Sequence, residues 1–190
     1  MFNILLDRLP DEYEGFLIRT DYRIGIQISQ ALADDELESY ERVSIALSLL
    51  YGNGMPDAKT AYEGLKWFMR CGAEVKKMID ADGDKVEDTE DDENEIDYFS
   101  FDYDSSRLYS SFRRTYGIEL DRERMHWFRF ISMMADLGDC AFTQVIGYRA
   151  MDTTGMDGKT KATYNKMKRK FALPQPISEE EQEFMAKLAQ

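Results

Sequence analysis

Residues 121–138 read DRERMHWFRFISMMADLG, and the reading of this run decides the fold. Met125, Phe128, Ser132 and Ala135 recur at three- and four-residue spacing, which places them on one side of an α-helix. Asp121 is placed to open that helix and Gly138 to end it. Trp127, Phe128, Arg129 and Phe130 are consecutive, so their side chains leave the helix about 100° apart and one narrow face does not easily take every ring. Trp67, Phe68 and Met69 repeat the pattern. Two readings follow. Either the rings fill a wide buried face, or some of them join Met133 and Met134 in an adaptable apolar surface for partner helices. On the second reading the partner-binding residues are Trp67, Phe68, Trp127, Phe130, Met133 and Met134.

Outward from this run the chain stays helical. Ile24, Ile28, Ala31 and Leu32 recur at helical spacing, as do Leu37, Tyr40, Val43, Leu47 and Leu50, with a break near Asp34 and Asp35. Turn formers from Tyr51 to Asp57 precede a helix carrying Ala61, Leu65 and Phe68, which Asp57 caps and Gly72 closes. Leu108, Phe112 and Tyr116 share a face ended by Gly117. Asp139 is the expected cap of a helix with Phe142, Val145, Ile146 and Arg149, and a basic helix follows to about Phe171. Ser178 and Glu181 form a capping-box pattern ahead of Phe184 and Leu188, a tail helix over 177–190. Two stretches read as strands: one around Phe16 to Arg19, and Phe99, Phe101 and Tyr103 alternating with Ser100, Asp102 and Asp104, which the first strand is placed to pair with. The expected class is mainly α (α-rich α+β). It comprises one domain over 1–176, seven or eight helices, a small two- or three-stranded sheet, and an acidic insertion over 80–97.

That insertion concentrates the charge. The 190 residues carry a formal net charge of -13, and Asp80 to Asp97 supplies eleven acids against Lys85 alone, or -10 of it. The balance argues against nucleic acid as a partner, since phosphate binding needs clustered Lys and Arg. It equally weakens an acidic decoy of DNA, whose charge needs spreading over a rigid surface. The one basic cluster, Lys159, Lys161, Lys166, Lys168, Arg169 and Lys170, contains no acid and fits a solvated face first, or else pairing with the acidic loop, a neighbouring subunit or an acidic partner. Asp80, Asp82 and Asp84 begin like a calcium loop, but Lys85 stands where glycine is needed and Asp91 where a longer Glu reaches the ion. No apolar stretch approaches membrane-spanning length. The start, MFNILLDRLPDEYEG, lacks a basic lead and a cleavage site, and predicts an unsecreted protein. Cys71 and Cys140 read as small buried hydrophobes without a disulfide. His126 is the one histidine and reads as a packing or surface residue. No nucleophile, phosphate-loop or dinucleotide motif occurs, so no catalytic, metal or cofactor-binding residue is assigned and a non-enzymatic protein is expected.

The order LLDRLP, RTDYRIGIQI, WFMRCG, YFSFDYDSSRLYSSFRRTYGIEL, HWFRFISMMADL, FTQVIGYRAMD and KMKRKFALP resembles a family of small bacteriophage proteins named after a fifteenth gene product. The resemblance runs from Leu5 to about Pro174. It implies a tail-module protein encoded beside the tape measure gene, and hence a tail assembly chaperone that keeps the long helical tape measure protein soluble until major tail tube subunits displace it. It further implies action in the host bacterial cytoplasm and absence from the mature virion, with a homo-oligomer as an option. The alternative is a minor structural or connector component that stays in the tail. Asp21, Arg23, Arg149 and Asp152 lie in the shared motifs and are expected to be ion-pairing or capping residues.

Overall fold

Polar caps and apolar stripes at helical spacing turn most of this chain into helices. A computed structural model describes residues 3–73, 78–79, 85–86 and 98–174. Among them are seven helices: α1 (Tyr22–Leu32), α2 (Ser39–Tyr51), α3 (Ala58–Met69), α4 (Ser105–Tyr116), α5 (Trp127–Ala135), α6 (Ala141–Ala150) and α7 (Gly158–Phe171). Two short antiparallel pairs accompany them, β1 (Glu12–Tyr13) with β2 (Phe16–Leu17), and β3 (Met78–Ile79) with β4 (Lys85–Val86). The chain is mainly α with a small sheet, as the periodicities predict. The calcium-like run, most of the acidic insertion and the tail over 177–190 lie outside the described residues. Inside the insertion, Lys85–Val86 is a strand where the sequence reads as aperiodic.

Contacts group the chain into two units, Met1–Ile96 with Tyr109–Gly138, and Asp97–Leu108 with Asp139–Gln190. In the first, Glu14 and Gly15 both take positive φ, as a two-residue type I′ hairpin turn requires, so β1 folds onto β2. Asp21 then caps α1 by accepting from the Arg23 N–H. An isolated antiparallel bridge joins Asp21 to His126: the Tyr22 N–H donates to the Met125 carbonyl at 2.8 Å and the Trp127 N–H to that of Thr20 at 2.7 Å. This bridge fixes where α5 begins. Residues 123–125 run without helix and His126 is the N-cap, so the start expected at Asp121 is corrected: extended backbone is needed up to the bridge. Asp121 instead accepts from the Tyr109 hydroxyl.

The core of this unit is aromatic. Phe130 stacks between Tyr22, centroids 4.7 Å apart, and Phe112, 5.2 Å apart. Trp127 stacks on Phe68 and Phe130, and Phe128 packs on Phe68. Each fully buried Phe is worth roughly 1.5–3 kcal/mol in transfer alone. Two glycines let the backbones close around these rings. A Cβ at Gly25 would lie within the Trp127 ring, and one at Gly64 would overlap the Tyr51 hydroxyl and stand 2.7 Å from Tyr13 Cδ1.

In the second unit the expected strand at Phe99–Tyr103 is a turn. Asp104 sits at its end with 1% exposure, and its carboxylate accepts from the Ser100 N–H, while the Asp102 N–H donates to Ser100 Oγ. Such local side-chain bonds compete with a ladder and win here. Arg149 of α6, its side chain 8% exposed, donates to the Asp104 carboxylate, the Phe171 carbonyl and the Tyr98 carbonyl. The α6 cap is Cys140, whose N–H donates to Thr143 Oγ1. The expected cap Asp139 accepts instead from the Gln144 amide.

Gly25→Ala and Gly64→Ala should each destabilise the protein by about 1–3 kcal/mol in urea unfolding, as overpacked cores do. Arg149→Met leaves the Asp104 carboxylate buried with the Ser100 N–H and, as its one remaining cation among the described residues, the part-exposed Arg107. A loss of about 3–5 kcal/mol is expected from the same measurement.

Candidate functional site

The six residues singled out in the sequence divide by burial. Phe68, Trp127 and Phe130 are core residues with essentially no exposure. Trp67 is half-buried, held 5.1 Å from the Tyr13 ring and edge-on to Phe128. Met133 and Met134 are half-buried on α5, and the Met133 carbonyl accepts from the Tyr116 hydroxyl. The HWFRF run is therefore a wide buried face. Of the proposed partner-binding residues, Phe68, Trp127 and Phe130 are stacked on one another inside the first unit.

An exposed apolar surface lies elsewhere in that unit, on α2 and α3. The Glu38 N–H donates to the Glu41 carboxylate at the start of α2. Asp57 caps α3 by accepting from the N–H groups of Lys59 and Thr60. Ala46 and Leu50 turn into the core, and beside them on the same broad apolar face of α2 Val43 and Leu47 are half-buried and Tyr40 is exposed. Together with Ser39, Ser44, Met55 and Tyr62 they line an open groove of about 530 Å³. None of these seven side chains is charged. Tyr40 is 73% exposed, Met55 52% and Tyr62 45%. Lys66 lies over the outer ring of Tyr62. Such a channel can take an apolar ridge of a partner helix, with tyrosine hydroxyls at its margin.

Tyr40, Val43, Leu47 and Leu50, which recur at helical spacing, do share one face of α2. Burial grades across that face, from Leu50 in the core through half-buried Val43 and Leu47 to exposed Tyr40. Periodicity shows an apolar face but not how much of it the fold covers.

The shared-motif residues are structural. Asp21 caps α1 and pairs with Arg23 at 3.2 Å, and Arg23 also reaches the Leu120 carbonyl. Asp152 accepts from the Thr154 N–H at 2.8 Å. Burial raises the Asp104 carboxyl, but the Arg149 hydrogen bond and charge outweigh it and hold the group below the usual carboxylate range. His126 joins the amino-terminal segment to α5. Its Nδ1 accepts from the Phe128 N–H at 3.0 Å, so Nε2 carries the proton and donates to the Pro10 carbonyl at 2.8 Å. Burial pushes the imidazole below its ordinary value, against the opposing effects of the Pro10 carbonyl and the Asp11 charge.

Among the described residues no group of three His, Cys, Asp or Glu side chains is arranged to hold a metal ion. No helix there is long and apolar enough to cross a membrane. What fold and surface define is a small, mainly helical protein with an uncharged groove on two of its helices. The family described as Bacteriophage Gp15 protein matches residues 5–173, and the chain belongs to it. No curated protein and no solved structure matches the chain.

Because the folded His126 binds its proton more weakly than the unfolded chain does, its cap contributes fully above pH about 6.5 and is lost as pH falls below that value. Unfolding free energy measured from pH 8 to 5 should drop through this window. In His126→Asn, which keeps a capping oxygen without titrating, the drop should be shallower.

Proposed function

We propose that this phage protein is a non-enzymatic tail assembly chaperone whose α2–α3 groove binds helices of the tape measure protein. The observation that carries the reading is the uncharged channel of Tyr40, Val43, Leu47, Met55 and Tyr62, which gathers large apolar side chains in one groove of a chain with net charge -13. Isolated exposed hydrophobics are ordinary, but several converging on one groove mark an interaction surface. A tape measure is a long helical protein with apolar ridges, and before tube subunits cover it those ridges need shielding. A shallow, open groove suits this task, since it binds without enclosing and yields to a subunit with a larger interface. The net charge of -13 keeps such a complex dispersed. On this reading the protein acts in the host cytoplasm during assembly and is absent from the finished virion.

Co-expression with the tape measure protein tests the proposal, with Tyr40→Glu and Tyr62→Glu beside the wild type. Both positions face solvent, so the variants should fold with unchanged helical circular dichroism. The expected result is a soluble tape measure that co-purifies with the wild type and is lost from both variants. Recovery of the chain in stoichiometric amounts from purified virions, with no effect on tape measure solubility, would overturn the chaperone in favour of a tail component.

A further inference from the structure

The most polarised element of the structure is α7, and the groove reading leaves it unused. Its fourteen residues hold six bases, no acid and no buried residue. Against α6 it forms a second groove of about 490 Å³, lined by Tyr148, Lys159, Thr160, Thr163, Tyr164 and Met167. Tyr148 and Tyr164 stand 6.5 Å apart along its floor. At about 100° per residue, Lys166 and Lys170 fall beside Lys159 on the same edge of the groove as Thr163. Lys168 is engaged with the Met151 carbonyl, whereas no ion pair holds Lys159, Lys166 or Lys170 among the described residues. The occupant this surface fits is an acidic segment with aromatic or aliphatic anchors.

The chain carries such a segment directly after α7. Residues 177–190 read ISEEEQEFMAKLAQ, four acids against Lys187, with Ile177, Phe184 and Leu188 sharing one side at helical spacing. Between this segment and α7 stand Pro174 and Pro176, which favour a chain reversal over a continued helix. We propose that residues 177–190 dock back along α7 as an antiparallel partner, their acids against Lys166 and Lys170 and their apolar side in the α6–α7 groove. Reach is no obstacle: the thirteen residues from Phe171 to Phe184 span up to about 43 Å extended, against about 21 Å for the whole of α7. Docked, the segment neutralises a basic helix that otherwise attracts polyanions.

Disulfide trapping in the full chain tests this, with Thr163→Cys/Phe184→Cys compared against Arg169→Cys/Phe184→Cys, position 169 lying on the far side of α7. The expected result is an intramolecular 163–184 bond forming several-fold faster than 169–184, and slowing in about 1 M salt, where the screening length is about 3 Å. Equal rates for the two pairs, or cross-links only between chains, would overturn the proposal. A second measurement needs no added cysteine. Cleavage by a glutamate-specific protease after Glu179 to Glu183 should be several-fold slower in the wild type than in Lys166→Glu/Lys170→Glu, and equal cleavage of both proteins would also overturn it.

Discussion

The first unit depends on one short piece of extended backbone. Two hydrogen bonds, Tyr22 N–H to the Met125 carbonyl and Trp127 N–H to the Thr20 carbonyl, tie the starts of α1 and α5 together across about a hundred residues of sequence. His126 sits in the middle, capping α5 with one ring nitrogen and holding Pro10 with the other. With both helix starts pinned, Trp127 has nowhere to go but over Gly25, and Phe130 falls between Tyr22 and Phe112. The aromatic core is thus a consequence of where α5 is made to begin. A second constraint of the same kind governs the other unit, where Arg149 gathers Asp104 and two carbonyls around one buried guanidinium.

Much of this was legible before any coordinates. The cap at Asp57, the ion-pairing or capping role of Asp21 and apolar stripes at helical spacing gave α1 and α3 nearly to the residue, the basic run gave the end of α7 at Phe171, and the helical class came with them. The failures share a cause. Asp121 looked like a helix start because its local chemistry is right, but a bridge formed with a distant segment claims the residues just before the helix. Phe99, Phe101 and Tyr103 alternate as a strand does, yet the Asp104 carboxylate and the Ser100 hydroxyl bind nearby N–H groups and bend the chain into a turn. Neither the bridge nor the burial of Asp104 leaves a mark in local periodicity.

The candidate site was the least legible part, for a reason that bears on function. Consecutive aromatics suggested a sticky surface, but large rings are also what a small core uses to bury area with few residues. Opening the stack of Phe68, Trp127 and Phe130 for a partner would forfeit several kilocalories of packing. The α2–α3 groove carries no such penalty, because Tyr40, Met55 and Tyr62 are already in water. The proposed role, holding a client and then releasing it, is better served by a surface whose use leaves the core intact. The two grooves also differ in chemistry. The one on α2 and α3 is uncharged and suits an apolar helix, while the one on α6 and α7 is basic and suits an acidic segment.

The claim that binding uses the groove and leaves the aromatic core closed is tested most directly by amide hydrogen exchange on the complex with the tape measure protein. The account predicts new protection across residues 39–62 and unchanged exchange across 127–134. Protection at 127–134 with none at 39–62 would contradict it, and would return the partner surface to Trp127, Phe130, Met133 and Met134.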